Sequence, residues 1–525
     1  MTAPATVAPT TKMVNLTIEG RQVSVPEGTS ILEAAKYAGI LVPHYCYHPG
    51  LPVAGVCRMC LVEVEKAPKL APSCATSVAE GQVVHVHSDK ALEARKGVLE
   101  LLLINHPLDC PICDQSGECE LQDYTYMEGR PDSRLRDPKR FNPVEDFGGD
   151  VMYVANRCIL CTRCVRFMDT MAEDPVLNVS ERGDRAVIGK FDGHDLTHPW
   201  AGNVIDLCPV GALLSKDSLN KVRAWEVDRT ASVCPNCTQG CNMIIETRDN
   251  TVVRLRPRSN EAVNQFFMCD YGRLNYRWMN RQDRLDTPLV RRGNDLVLAE
   301  WEVALAAAAQ LLTGAKARVI ASPMLSNEAL GLLARLYRKT GGSGSYRVAK
   351  GDRAPLPGVK DLARREELGA NVRGLELFGF KRSESPAWNL GSEDILVLAD
   401  EELAGIDAGA VGQPRAIIVI GTTLPSWARG AAVVLPIGNF TEEEGTFTNV
   451  DGRVQRFMQA KAAPGYARPS FAVIGDLLAL LGEKTGYMLA SDAFAAVAAS
   501  EAAFSGLSYE TLGLRGVAVA GGAAR

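Results

Sequence analysis

The sequence predicts an α+β first half followed by an α/β second half. Three observations carry this prediction. Residues 13–25 alternate apolar and polar about Glu19-Gly20, and an Ala-rich helix opening at Ser30-Ile31-Leu32-Glu33 follows directly. From residue 318 onward, short β-branched runs alternate with helix-like stretches. All fifteen cysteines lie between Cys46 and Cys269, so the two halves carry different chemistry.

The N-terminal alternation predicts a β-hairpin, and Ser30 with Glu33 has the spacing of a capping box. Hairpin followed by helix is how a small β-grasp domain begins. Residues 91–104 have helical periodicity, and the Pro/Gly/Asp/Arg-rich stretch 128–150 reads as a connection between modules. In the second half, strands are expected at 318–322, 394–400, 416–421 and 431–437, with helices at 301–312, 326–339 and 469–482. That alternation predicts a mostly parallel sheet. The Gly-Gly-Ser-Gly at 341–344 is not a GxGxxG fingerprint and reads as a loop, so no nucleotide site is expected. Residues 1–12 and 513–525 read as disordered tails.

At 525 residues the chain exceeds one core, and about three to five domains are expected. Its 57 basic and 62 acidic residues give a net charge of −5, which does not point to nucleic acid or an anionic membrane surface. No apolar stretch approaches the roughly 18–20 residues that span a bilayer, and the N-terminus lacks a secretory pattern. The expected location is cytoplasmic or facing the cytoplasm, with any membrane association made through partners. In a reducing compartment clustered cysteines mean metal more often than disulfides.

Four groups emerge. Cys46, Cys57, Cys60 and Cys74 form the first, a CxxC pair with two flanking thiols that suits a [2Fe–2S] cluster; a four-cysteine zinc site is the alternative. The second has only three thiols, Cys110, Cys113 and Cys119, and His106 is the nearest candidate for a fourth ligand, ahead of His85 and His87 in the strand-like QVVHVH. Imidazole in place of thiolate would raise the potential of that site. Cys158, Cys161 and Cys164 with the remote Cys208-Pro209 follow the bacterial [4Fe–4S] spacing. Cys234, Cys237, Cys241 and Cys269 again suit a four-iron cube, with zinc a more serious competitor. Fifteen cysteines plus His106 supply sixteen ligands for four sites, leaving no thiol as a nucleophile. Arg58, Arg163 and Arg166 adjoin ligands and read either as tuning charges or as solvated surface.

The segments RMCLVEVE, INHPLDCPICDQSGECELQD, NRCILCTRCVRF and NVIDLCPVGALLSK, within a stretch of about residues 13–285, resemble the large iron–sulfur subunit (the G subunit) of bacterial NADH:quinone oxidoreductase, respiratory complex I. The resemblance implies one [2Fe–2S] and three [4Fe–4S] clusters on the sixteen residues above. It implies that the first three lie on the path of single electrons from a flavin- and NADH-binding partner toward the quinone-side iron–sulfur subunits. The fourth would be an extra cluster off that path. The segment FTEEEGTFTNVDGRVQRF resembles the molybdopterin-oxidoreductase domain, here expected to be reduced and without cofactor, since no cysteine follows Cys269.

The implied role is that of a subunit of a proton-pumping, translocase-class NADH dehydrogenase on the cytoplasmic side of the membrane, in the complex's peripheral arm, with no complete active site on this chain. The implied division is a β-grasp [2Fe–2S] ferredoxin-like domain at 13–90, a [4Fe–4S] module with one histidine and three cysteine ligands at 91–130, and a four-cysteine ferredoxin-like module at 145–226. A molybdopterin-oxidoreductase-type [4Fe–4S] module at 227–284 and the α/β domain at 285–512 follow. Alternatives are the diaphorase arm of an NAD-linked hydrogenase, the iron–sulfur subunit of a formate dehydrogenase, and a zinc-stapled scaffold.

Overall fold

A computed structural model describes residues 12–383, 390–403 and 411–519, except for the side chain of Trp427. It divides into two compact units, one formed by residues up to Glu226 with Pro357–Val359, the other by the remainder.

The first unit opens as the alternation dictates. Strands Met13–Ile18 and Arg21–Pro26 pair antiparallel, turning through Glu19 and Gly20, both at positive φ. Val14, Leu16 and Ile18 point inward and join Val62, Val84 and helix Ile31–Tyr37 in one core. Ser30 caps that helix by accepting from the Glu33 amide at 3.2 Å. The sheet is completed by Val83–His85, parallel to the first strand, and by Leu61–Val64 and Ala71–Pro72. Helix Asp89–Leu103 follows, and Arg95 within it is fully buried. Its guanidinium donates to Glu128 at 2.5 Å and to the carbonyls of Leu61 and Val86. One cation thus joins this helix to the sheet and to helix Glu120–Glu128. The connection expected over 128–150 ends in a strand, Val144–Gly148, paired with Val151–Val154.

The second unit begins with a three-stranded antiparallel sheet, Asp228–Val233, Asn242–Arg248 and Thr251–Pro257. Beyond it stands an eight-stranded sheet. Its parallel part runs Val433–Pro436, Ala416–Gly421, Asp394–Ala399, Lys316–Ala321, Ser343–Tyr346, Lys381–Arg382, and the hairpin Leu289–Arg292/Asp295–Leu298 closes one edge antiparallel. Alternate residues serve opposite faces. Val319, Ile395 and Val397 pack with helices Trp301–Leu312, Asn327–Lys339 and Ser470–Leu480, whereas Ile320, Leu396 and Leu398 form a second core. Burial on both faces explains the continuous apolar runs in the sequence.

Two expectations are corrected. The glycine-rich segment at 341–344 is not a loop throughout, because Ser343–Tyr346 is a parallel strand. A Cβ at Gly344 would stand 2.6 Å from Phe380 and 2.7 Å from Tyr337, so glycine there admits aromatic packing over the strand. Residues 513–519 are not a tail. Val517–Ala518 pairs with Arg453–Phe457, and Val519 is buried. Of the expected tails, residues 1–11 and 520–525 lie outside the described residues, and Lys12 pairs with Glu27. Among the described residues no helix is long and apolar enough to cross a membrane.

Candidate metal centres

Each cysteine group is set on a tight turn containing a residue at positive φ. Arg58 takes this conformation between Cys57 and Cys60, Gly117 between Cys113 and Cys119, Leu160 and Thr162 within the third triplet, and Gly240 between Cys237 and Cys241. The reversal folds each of these loops back on itself. Non-glycine residues pay roughly 1–2 kcal/mol for it, as occurs where a site imposes the geometry.

In the first group the thiols hydrogen-bond among themselves, Cys46 with Cys57 and Cys74, and Cys60 with Cys74. Those bonds hold Cys46 far below the usual thiol range and bring Cys60 down to about 6, while Cys57 and Cys74 are driven up. The Cys46 amide also points at Cys57 Sγ, 3.5 Å away. Ser73 donates from its hydroxyl and amide to the Cys60 carbonyl at 2.8 and 3.0 Å, pinning the CxxC turn beside Cys74.

The third group surrounds a small apolar pocket lined by Cys158, Cys161, Cys164 and Cys208 with Tyr153 and Ile188. Burial pushes Cys158 and Cys208 up to about 11, Cys161 to about 12 and Cys164 well above the usual value. Four thiols in so apolar a space resist ionisation unless a cation compensates them, and an iron cluster would supply that compensation. The donor set fits such a group. Among the described residues, no three ligand-type side chains converge tightly enough to hold one metal ion; these four sulfurs line a cavity instead.

The second group is more open. Cys113 is buried, Cys119 half-buried and Cys110 exposed. Burial pushes Cys119 up to about 11, with the charges of Cys113 and Cys110 adding to it. His106 is half-buried, and its Nδ1 is enclosed without a hydrogen-bond partner. Burial, then the charges of Lys139 and Arg157, hold its imidazole down to about 4, so the ring is neutral with a lone pair free for a metal. Arg157, paired with Asp109 at 3.0 Å, acts electrostatically on both His106 and Cys113. His85, the weaker competitor, lies 3.0 Å from Glu65 on the sheet.

The fourth group lies wholly in the second unit, and its four thiols are each 5% exposed. The Cys234 amide donates to the Cys241 carbonyl at 2.7 Å, and Cys269 caps helix Asp270–Leu274 by accepting from the Gly272 amide at 3.3 Å. A Cβ on Gly272 would stand 3.2 Å from Cys234 Sγ and 3.4 Å from Cys269 Sγ, so glycine leaves room where the thiols meet.

Within the first unit, residues beside the third group are hydrogen-bonded to both other groups. Arg166 donates to the carbonyls of Cys46 at 2.5 Å and Cys161 at 3.3 Å. On the other side, the Glu120 amide beside Cys119 donates to the Pro209 carbonyl beside Cys208 at 3.0 Å. Arg58, by contrast, is exposed, the solvated reading. The sequence does not single out Arg157 or Gly211, although Gly211 stands three residues after Cys208 in Cys-Pro-Val-Gly.

Family models match the chain in series. Residues 11–89 match a 2Fe-2S iron-sulfur cluster binding domain, 95–134 the NADH-ubiquinone oxidoreductase-G iron-sulfur binding region, and 148–214 the ferredoxin-like domain of NADH-quinone oxidoreductase subunit 3. Residues 227–281 match the molybdopterin oxidoreductase Fe4S4 domain and 363–480 molybdopterin oxidoreductase itself. The G subunit of the NADH-quinone oxidoreductase of Rickettsia felis is 40% identical over 343 residues, 65% of this chain and 51% of the relative. Over about two thirds of its length the chain is similar to the G subunits of NADH-quinone oxidoreductases.

A eukaryotic relative, the mitochondrial 78 kDa subunit of NADH-ubiquinone oxidoreductase from Candida albicans, is 42% identical over 335 residues, 62% of this chain and 46% of its own length. The chain spans about half the length of these G-subunit relatives. A solved NAD+-reducing [NiFe]-hydrogenase in the H2-reduced state is 28% identical, covers 40% of this chain and 90% of its own, and superposes with a TM-score of 0.35. The matched family models give this chain a [2Fe–2S] ferredoxin-like domain, [4Fe–4S] modules and a molybdopterin-oxidoreductase-like α/β domain.

Proposed function

We propose that this chain is the electron-transfer subunit of a proton-pumping NADH:quinone oxidoreductase, relaying single electrons from a flavin- and NADH-binding partner toward quinone-side iron–sulfur subunits. In this reading Cys46, Cys57, Cys60 and Cys74 hold a [2Fe–2S] cluster. His106 with Cys110, Cys113 and Cys119, Cys158 with Cys161, Cys164 and Cys208, and Cys234 with Cys237, Cys241 and Cys269 hold three [4Fe–4S] clusters. When bound, the clusters supply one-electron oxidation and reduction. The observation that carries the reading is the presence of three thiol groups in the first unit, tied to one another by hydrogen bonds at residues adjoining the cysteines.

What the chain itself does is hold and insulate. Buried thiols and apolar lining keep water from the third site, and the neutral His106 makes its own site less negative than four thiolates would. The α/β domain carries no molybdopterin in this reading, since residues 270–525 contain no cysteine. The finer division at 13–90, 91–130, 145–226, 227–284 and 285–512 belongs to the same proposal, as does a place in the peripheral arm on the cytoplasmic side of the membrane.

Metal and sulfide analysis of the anaerobically purified full-length chain tests it. About fourteen iron and fourteen sulfide per chain are expected, without stoichiometric molybdenum. Near-zero iron with about four zinc would overturn the reading. Copurification with hydrogenase subunits in place of a membrane complex would reassign the partners.

A further inference from the structure

Arg163 lies between two ligands, Cys161 and Cys164, and is 4% exposed. Its guanidinium reaches the neighbourhoods of two other groups. Nη2 donates at 2.8 Å to the carbonyl of Tyr47, the residue after Cys46 and 116 positions away in sequence. Nη1 donates at 3.2 Å to the carbonyl of Leu207, the residue before Cys208. Both terminal nitrogens approach the carboxylate of Glu120, the residue after Cys119, at 3.4 Å. Resting on the relay reading above, we propose that Arg163 is a positioning residue that fixes the first three ligand loops against one another and so sets the gaps that electrons cross.

The chemistry of the side chain suits the task. A buried cation is expensive unless compensated, and here two carbonyls and a carboxylate compensate it. Each acceptor adjoins a ligand in a different part of the chain, so satisfying the guanidinium and aligning the loops are the same event. A planar fork with five donors serves acceptors in three directions, which an ammonium on a flexible stem does not do in fixed geometry. Its Nε is enclosed without a hydrogen-bond partner, so one donor of this central group stays uncommitted. Arg166 acts in parallel on the carbonyls of Cys46 and Cys161 but does not extend to the second group through the contacts above. Arg163 alone among these arginines touches residues adjoining all three.

The test uses the full-length chain purified anaerobically as wild type, Arg163→Lys and Arg163→Gln. Iron and sulfide are measured, and the [2Fe–2S] EPR signal of the reduced protein is followed as microwave power rises. Neighbouring paramagnetic centres speed the relaxation of that signal, so loosening the loops lowers the power at which it saturates. A fall in half-saturating power in both variants, with iron retained, is expected. Wild-type saturation in Arg163→Lys overturns the proposal, because charge alone would then suffice. If Arg163→Gln fails to load iron, Arg163→Lys decides by the same measurement. A wild type free of iron overturns the relay reading and this inference with it, whereas a loaded wild type with unchanged variants overturns the inference alone.

Discussion

Gly211 packs against the sulfur of Cys113 so closely that a Cβ at position 211 would overlap Sγ and stand 3.1 Å from Cβ of Gln115. Cys208 belongs to the third group and Cys113 to the second, so the segment Cys208-Pro209-Val210-Gly211 runs from a thiol of one to a thiol of the other. Gly211→Ala must displace the thiol or the loop, at a cost of roughly 1–3 kcal/mol. The expected result is loss of about four iron per chain and of one [4Fe–4S] EPR signal, with the other signals kept. An unchanged spectrum would show that the loop yields without disturbing Cys113.

His106 offers a second, independent test of the same site. Its enclosed, partnerless Nδ1 and its neutral ring suit a ligand. In His106→Cys a thiolate replaces imidazole, which adds negative charge to the cluster. One [4Fe–4S] centre alone should change its EPR signal, and its midpoint potential should fall. Spectra identical to wild type would remove His106 from the ligand set.

Arg95→Met tests the fold of the first unit. The Arg95 side chain is fully buried and that of Glu128 is 9% exposed. Removing the cation leaves a buried carboxylate unpaired, for a loss of about 3–5 kcal/mol in stability. The double variant Arg95→Met/Glu128→Leu should recover part of that loss, read as the thermal midpoint of the anaerobic full-length chain. Equal midpoints for wild type and Arg95→Met would sink the argument.

Glu443 predicts a pH dependence for the second unit. Burial pushes its carboxyl up to about 8, although the amide and hydroxyl of Ser470 both donate to it. The folded value lies above the unfolded one of about 4.3, so the folded chain holds a proton that the unfolded chain releases. That contribution is fully present below about pH 4.3 and is lost as pH rises toward 8, by about 1.4 kcal/mol per pH unit for one group. Thermal midpoints should therefore fall from pH 5 to pH 8 in wild type, and Glu443→Gln should flatten that slope. An equal slope in both proteins would refute the assignment.

Much of this was legible in the sequence because it is local. The hairpin about Glu19-Gly20, the Ser30 cap and the helices at 301–312, 326–339 and 469–482 follow from patterns a few residues long, and the structure forms them within one or two residues of the expected bounds. The strand at Ser343–Tyr346 did not read as one, because its glycine at 344 has no β propensity of its own and is selected by Tyr337 and Phe380. The pairing of Val517–Ala518 escaped for a similar reason. A two-residue strand is decided by the edge it meets, here Arg453–Phe457.

By itself the sequence determined the inventory of sixteen candidate ligands and their grouping, because thiols two or three residues apart are confined by covalent reach to one turn. Only the tertiary structure decided that residues beside the third group are hydrogen-bonded to both the first and the second. Only it turned Arg163 from a charge beside a ligand into a buried contact shared by three loops. The physical reason is range. Spacing governs what one turn holds, whereas the burial of a cation among carbonyls 44 and 116 residues away depends on how the whole unit closes.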